Sequence, residues 1–407
     1  MSARVGSTST RAVTRATRAT YVAFVGSGFA FASWAARIPQ VRDRLHLTPA
    51  SLGLVLLAIA AGSLIALPLA GVVVHRFGSR RAVGTTAVML SVAFVIVALG
   101  YLVGVVPVLI GLFLAGFANG TWDVAMNVQG ATVERHLGRP IMPRFHAGFS
   151  VGTVAGALVG AAAVATGVPV TAHLLVVAAA VAIVIPLSVR TFLPDTDDEP
   201  GPTTGAASDP PEPRPSALAR WREPRTVLIG AFVLAFVFAE GSGNDWISVA
   251  LIDGYGAPAA VGTLGFAAFL AAMTAARWVG PGLLDRYGRV WLLRGLVGVG
   301  IAGVLLFVLG PALWVAFLGA LLWGAGVSLG FPVGMSAAAD EPAAAPGRVS
   351  VVASIGYCGF LSGPPLLGFL GDRFTVLSAL LAVGVLLIAS LPLTGALAPL
   401  RPAPVKA

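Results

Sequence analysis

Gly-Val-Val-Val-His-Arg-Phe-Gly-Ser-Arg-Arg, residues 71–81, is a short basic stretch between two long apolar runs, 50–73 and 82–103. A related stretch, Asp-Arg-Tyr-Gly-Arg-Val at 285–290, follows 210 residues after its counterpart at 75–80 and again separates two apolar runs. Each run has the roughly 20 residues that an α-helix needs to cross the hydrocarbon core of a bilayer. The sequence therefore predicts membrane-spanning helices in two related halves.

The composition is that of a helical membrane protein. Hydrophobic residues make up 57% of the 407 residues and charged residues 11%, and the mean hydropathy is +0.90. Soluble domains contain about 25% charged residues. The 50 glycines suit helices that approach closely in lipid, where small residues replace the hydrophobic drive to pack. The apolar runs lack the two-residue alternation of a transmembrane β-barrel, so we expect an all-α membrane protein.

Apolar windows bounded by charge, glycine or proline predict twelve spans, six on either side of a polar segment. The predicted spans are 19–40, 50–73, 82–103, 106–130, 144–166, 171–190, 226–251, 258–284, 290–310, 312–338, 348–371 and 374–397. The polar segment, 194–224, is rich in proline and charge, which predicts an extended or disordered linker. We thus expect a cytoplasmic segment at 1–18, six-helix halves at 19–193 and 225–397, and a cytoplasmic tail at 398–407.

The basic residues sort to one side of the predicted spans. That side, which holds both termini and the linker, has 21 of the 26 Lys and Arg residues. The positive-inside rule therefore predicts that both termini are cytoplasmic. Because topology explains the net charge of +9, we expect no nucleic-acid partner; the expected partners are the lipid bilayer and a small solute, with the chain as a monomer.

The two basic stretches resemble a known motif. Gly71-x-x-x-His75-Arg76-x-Gly78-x-Arg80-Arg81 resembles the signature loop of the major facilitator superfamily, and Asp285-Arg286-x-Gly288-Arg289 resembles its second copy. The resemblance implies a transporter whose halves enclose a central cavity, with these loops as a cytoplasmic latch built on glycine turns and arginines. The alternative is that the arginines only set topology. In the first copy His75 stands where the family has an acid, so the latch of the first half is expected to be weaker or pH-sensitive. In the second copy Pro281 stands where the family has a glycine.

Four further stretches are similar to a branch of bacterial permeases of mostly unassigned substrate, distantly like fucose permeases. They are Ala32-Ser-Trp-Ala-Ala-Arg-Ile-Pro39, Trp122-Asp-Val-Ala-Met-Asn127, Phe145-His-Ala-Gly-Phe-Ser150 and Gly356-Tyr-Cys-Gly-Phe-Leu-Ser-Gly-Pro-Pro365. This resemblance implies a transporter of the bacterial inner membrane and leaves the substrate open.

The fourth predicted span carries polar residues at helical spacing. Asn119, Asp123 and Asn127 recur every four residues and form one stripe. A charge at the centre of a membrane helix costs about 2.5–3.5 kcal/mol on insertion scales, so such a residue is a functional candidate. Either the stripe lines the solute or proton path, or Asp123 pairs with a neighbouring helix.

The seventh predicted span carries a second polar group. Glu240 and Asn244 share a helix face, and Gly241 and Gly243 favour local unwinding that would expose backbone groups. Asp245 either belongs to the solute or proton path or only lies near the expected outer interface.

Three more polar residues are candidates for the path. Arg277, in the eighth span, either pairs with Asp123, Glu240 or Asp245, or binds an acidic group of the solute. Arg37 either extends to the outer interface or faces the cavity with Trp34. Tyr357, in the eleventh span, is a candidate hydrogen-bond partner of the solute.

These observations predict a transporter rather than an enzyme. The chain has no GxxxxGK[ST] phosphate loop, no metal-ligand spacing of His or Cys, and no nucleophile paired with a base. We therefore expect neither a cofactor nor a metal, and transport driven by a gradient. The hypothesis is proton-coupled alternating access for a hydrophilic solute such as a sugar or organic acid, with Asp123 and Glu240 as the leading proton or solute groups. Uniport, export of drugs or metabolites, and a non-transporting receptor are the alternatives.

Overall fold

The computed structural model describes residues 10–195, 220–341 and 344–400. The regular structure of these residues is helical. Fourteen α-helices, numbered in chain order, are α1 Thr10–Ala35, α2 Ile38–Arg44, α3 Pro49–Gly100, α4 Val105–Leu137, α5 Met142–Ala165, α6 Val170–Ser188, α7 Pro224–Tyr255, α8 Ala259–Tyr287, α9 Arg289–Leu309, α10 Leu313–Val327, α11 Gly330–Ala338, α12 Ala345–Arg373, α13 Val376–Ala379 and α14 Leu381–Ser390. Short 3₁₀ turns follow α6 at Val189–Thr191 and α14 at Pro392–Leu397.

The expected fold class is confirmed. Ten helical segments of the described chain are long and apolar enough to cross a membrane. One of them, α3, has 52 residues and contains the second predicted span and all but the last three residues of the third. A shorter apolar stretch, Val376–Ser390, lies in the twelfth predicted span. The protein is thus an all-α, multi-pass membrane protein.

The described residues form two compact units. The first comprises 10–195 together with Ala259–Ala267, and the second comprises 220–258, 268–341 and 344–400. In the first unit α1 packs along α5, and α3 packs along α4 and α6. In the second unit α7 packs along α12, and α9 along α10. Of the predicted cytoplasmic parts, residues 1–9, most of the linker (196–219) and residues 401–407 lie outside the described residues.

Both basic stretches turn at a single glycine. Gly78, inside α3, has φ 80° and ψ 155°, and Gly288, between α8 and α9, has φ 74° and ψ 163°. A residue with a Cβ atom is strained in this region of backbone space, which glycine adopts freely. The 210-residue repeat therefore preserves a backbone conformation, and each stretch is a one-residue break between two helices.

Proline accounts for a break in the tenth predicted span. There α10 ends at Val327 and α11 begins at Gly330. Pro332 has no N–H group, so it cannot donate the helical hydrogen bond to the carbonyl of Ser328. That carbonyl is left available to another donor.

Candidate functional site

The polar stripe of α4 lies beside α1 in the first unit. The Ser27 hydroxyl of α1 donates to Asn119 Oδ1 at 3.1 Å. Asn127 Nδ2 donates to the backbone carbonyl of Asp123 at 2.8 Å and to its Oδ1 at 3.4 Å. All three stripe residues are half-buried. Among the described residues, Asp123 thus has an amide neighbour and no cationic partner.

The second unit contains an ion pair between α7 and α8. Arg277 Nη2 lies 3.0 Å from both carboxylate oxygens of Glu240. The side chains are 28% and 20% exposed, respectively. Of the three acids considered as partners of Arg277, Glu240 is the one with which the structure pairs it.

The break between α10 and α11 completes the environment of Arg277. Its Nε donates to the Ser328 carbonyl at 3.0 Å, the group that Pro332 leaves without a helical donor. Sequence reasoning missed this contact because the acceptor is a backbone carbonyl and not a side chain. The signal was Pro332 itself, since a proline frees the carbonyl four residues earlier.

Asp245 and Asn244 lie about one turn beyond Glu240 on α7. Asp245 is half-buried and forms no hydrogen bond or ion pair with the described residues. Asn244 Oδ1 is buried and also lacks a hydrogen-bond partner among them. An ionisable side chain within a membrane span is a functional candidate by default, and a buried amide oxygen without a hydrogen bond requires an explanation.

The expected unwinding at Gly241 and Gly243 is wrong. Helix α7 is continuous from Pro224 to Tyr255. A Cβ atom at Gly243 would lie 2.5 Å from the ring of Phe269, and one at Gly241 would lie 3.0 Å from the ring of Phe360. These glycines make room for aromatic side chains, which is the packing role that small residues have in membrane helices.

Arg37 is held inside the first unit. It is 1% exposed, and its Nε donates to His173 Nδ1 at 2.8 Å while Nη2 donates to the Val168 carbonyl at 3.1 Å. Neither expected placement, at the interface or facing a cavity, describes these contacts. Arg37 instead joins the break between α1 and α2 to the start of α6. Trp34 is buried at 3% exposure.

Tyr357 is half-buried on α12. Helix α12 contains the eleventh predicted span, 348–371, in which the sequence analysis placed Tyr357.

Arg289 of the second basic stretch forms an ion pair. Its Nη1 lies 2.6 Å from Asp340 Oδ1, and its Nη2 donates to the Ser336 hydroxyl at 3.1 Å. The other oxygen of Asp340 binds Arg225 Nη2 at 2.8 Å. Arg225 also donates to the carbonyls of Ala396 and Ala398, both at 3.0 Å. Asp340 therefore ties the start of α9 to the start of α7. The sequence prediction included Arg289 but neither Asp340 nor Arg225.

The first basic stretch is anchored through Ser79, which occupies the repeat position of Arg289. The Ser79 hydroxyl donates to Asp195 Oδ1 at 2.6 Å, and the Ser79 N–H donates to Asp195 Oδ2. The amide nitrogen of Gln129, on α4, donates to Ser79 Oγ and to the Leu193 carbonyl, both at 3.1 Å. The amide oxygen of Gln129 accepts from the Leu193 N–H at 3.0 Å. The beginning of the predicted linker is thus fixed to the glycine turn.

The other predicted latch residues lie at the surface. Gly71, His75, Arg76, Arg80, Asp285 and Arg286 are exposed. Two of these arginines lie over the neighbouring aromatic ring: Arg76 is 5.7 Å from the Phe77 centroid, and Arg286 is 5.3 Å from the Tyr287 centroid. They form no ion pair with the described residues in this conformation.

A second ionic cluster stands just before α7. Glu223 binds Arg220 and Arg348, the latter at 2.6 Å, and accepts from the Thr226 hydroxyl at 2.8 Å. Burial raises the pKa of Glu223, but the hydrogen bonds from Arg348, Arg220 and Thr226 outweigh it and lower the pKa to about 2. This carboxylate therefore stays charged throughout the physiological range.

Sequence comparison identifies related transporters. The sequence model of the Major Facilitator Superfamily, a protein family, matches residues 19–358 of this chain. An uncharacterised transporter of Sinorhizobium fredii, y4wD, is 32% identical over 89% of this chain and 92% of its own. An uncharacterised MFS-type transporter of Yersinia pestis is 30% identical over 91% and 92%. The membrane protein MosC of Rhizobium meliloti is 28% identical over 89% and 86%.

Two solved structures share the fold. A point mutant of the nucleoside transporter NupG superposes with a TM-score of 0.74 at 14% identity, covering 95% of this chain and 99% of its own. A bacterial homologue of the human lysosomal transporter Spinster, inward-facing and occupied, gives 0.74 at 14% identity, covering 98% and 100%. At this identity the likeness concerns the fold alone.

Proposed function

Because the chain belongs to the major facilitator superfamily of membrane transporters, we propose that it moves a small hydrophilic solute by proton-coupled alternating access. The protein is proposed to act as a monomer in a bacterial inner membrane, with both termini cytoplasmic. Transport, rather than catalysis, is the proposed activity.

The observation that carries the proton coupling is the contrast between Glu240 and Asp123. Glu240 is neutralised by Arg277 at 3.0 Å, whereas Asp123 has no cationic partner among the described residues. Protonation of Glu240 would break an ion pair, while protonation of Asp123 breaks none. We therefore assign proton transfer first to Asp123 and second to Asp245, which also has no ion-pair partner in the part of the chain that the structure describes. The role left for Glu240 and Arg277 is to hold the helices together or to bind the solute.

The polar groups of the spans support a hydrophilic solute. Asn119 and Asn127 present amides on the α4 stripe, and Asn244 Oδ1 has no partner among the described residues. Amides and carboxylates recognise hydroxyl and amine groups, whereas a site for drugs would present a more apolar and aromatic lining. Sugars, small organic acids and nucleosides are therefore the solutes to screen.

The test is solute-dependent proton movement in proteoliposomes containing a pH-sensitive dye. Asp123→Asn, Asp245→Asn and Glu240→Gln are compared with the wild type, and Asp43→Asn serves as a control because Asp43 is exposed and pairs with its neighbour Arg42. We expect proton uptake to be lost in Asp123→Asn and retained in the control. Solute counterflow in Asp123→Asn should persist, since counterflow needs no net proton transfer.

Two results would overturn the proposal. Solute movement in the wild type without any proton flux would indicate facilitated diffusion instead of proton-coupled transport. An absence of counterflow for every solute would favour a receptor that binds without transporting.

A further inference from the structure

Helix α1 begins with a basic extension. It starts at Thr10, nine residues before the first predicted span, and its first turns carry Arg11, Arg15 and Arg18. Residues at this spacing lie on one face of a helix. All three arginines are exposed, and their side chains form no ion pair or hydrogen bond with the described residues. No acidic residue occurs in α1.

The same helix face becomes apolar further along. Val22, Val25 and Phe29 continue the spacing of the three arginines and line one wall of a groove of about 300 Å³. Residues of α6, among them Ala180 and Val184, line the other wall. The groove lining is apolar throughout and opens to the surface of the unit.

The arginines and the groove are fixed relative to one another. On the opposite side of the extension, Val13 and Ala16 are buried at 7% and 0% exposure. The Thr191 hydroxyl, in the 3₁₀ turn that follows α6, donates to the Arg15 carbonyl at 3.4 Å. The two helices that form the groove thus also position the arginines at its end.

We propose that this surface, the α1–α6 groove with Arg11, Arg15 and Arg18, binds one anionic phospholipid. The phosphate lies against the arginines and an acyl chain lies in the groove. Three cations that have no partner among the described residues complement an anionic headgroup, and the apolar groove complements an acyl chain. The positive-inside rule assigns this end of α1 to the cytoplasmic side, where anionic lipids attract basic segments. Phosphate alone would leave the groove empty, and a zwitterionic lipid would leave the arginines uncompensated.

The experiment is native mass spectrometry of the full-length protein in detergent, titrated with phosphatidylglycerol or phosphatidylcholine. We expect tighter binding of phosphatidylglycerol, weakened about fivefold for each arginine replaced by Gln. The control replaces Arg139, Arg144 and Arg222 by Gln, which removes the same charge from exposed positions outside the groove. Ala180→Phe, at an exposed lining position, should fill the groove and weaken phosphatidylglycerol binding while the arginines remain.

Several results would overturn the proposal. They are equal affinity for the two lipids, an equal loss in the control variant, and unchanged binding in Ala180→Phe. Displacement of phosphatidylglycerol by glycerol phosphate at the same concentration would assign the arginines to a soluble anion instead. Because the readout is lipid retention by protein of unchanged melting temperature, none of these results depends on solute transport.

Discussion

Replacing Glu240 by Gln leaves the Arg277 guanidinium without its anion, while the Ser328 carbonyl still accepts from Nε. The two 3.0 Å contacts from Arg277 Nη2 are charge-assisted hydrogen bonds, which contribute about 1.5–3 kcal/mol. Breaking a fully buried pair costs roughly 3–5 kcal/mol. Because the two side chains are 20% and 28% exposed, we expect Glu240→Gln to lower the free energy of unfolding by about 2 kcal/mol.

A double-mutant cycle isolates the pair. Arg277→Met removes the cation, and the double variant Glu240→Gln/Arg277→Met should be more stable than the sum of the single effects predicts. We expect a coupling free energy of about 1–2 kcal/mol, measured by SDS-induced unfolding of the purified protein. The matched control is Glu341→Gln, which removes a 53% exposed partner of Arg348 and should cost less than about 1 kcal/mol. Strict additivity of the two core variants would refute the assignment of Glu240 to Arg277.

Three further predictions follow from single positions. Gly78→Ala and Gly288→Ala should each lower the free energy of unfolding by about 1–3 kcal/mol, since both positions need a positive φ. The control is Gly71→Ala, because Gly71 has open space around it. Equal effects at all three positions would contradict the prediction. Asp340→Asn should weaken the contacts of both Arg225 and Arg289 and shorten the thermal-inactivation half-life more than Asp285→Asn, which removes an exposed acid that pairs with none of the described residues. Indistinguishable half-lives would contradict the role of Asp340 in this cluster. The pKa of Glu223 is about 2 in the folded protein and about 4.3 in an unfolded chain, so this carboxylate contributes its full stabilisation above the unfolded value and loses it as pH falls towards 2. Because Glu223 does not titrate between pH 5 and 8, the pH dependence of transport in that range should be the same in Glu223→Gln as in the wild type. A shifted transport profile would refute this.

The spans were predictable because the membrane imposes a simple rule on the sequence. A helix must satisfy its own backbone hydrogen bonds over about 20 apolar residues, so a run such as 106–130 identifies α4 without reference to its neighbours. The turn at Gly78 was also predictable, because a glycine between two spans indicates a tight turn. The length of the first helix was not readable from hydropathy, because Arg11, Arg15 and Arg18 are polar while the burial of Val13 and Ala16 depends on packing.

The partners of polar residues were less accessible to sequence reasoning. Helical spacing placed Asn119, Asp123 and Asn127 on one face, but it gave no means of choosing among three acids as the partner of Arg277. The answer depends on the packing of α7 against α8 and on the carbonyl freed by Pro332. Gly241 and Gly243 show the same limit, because a glycine favours unwinding and close packing alike, and the rings of Phe269 and Phe360 decide between them.

The two glycine turns show that a sequence repeat can preserve geometry while its chemistry differs. The residue after the turn is Ser79 in one half and Arg289 in the other, and each binds an acid: Asp195 accepts two hydrogen bonds from Ser79, and Asp340 pairs with Arg289. Hydrogen bonds from neutral donors to a carboxylate differ from an ion pair in their response to salt, since screening weakens partly exposed ion pairs most. We infer that the turn in the second half is the more salt-sensitive of the two, although both have the same backbone conformation.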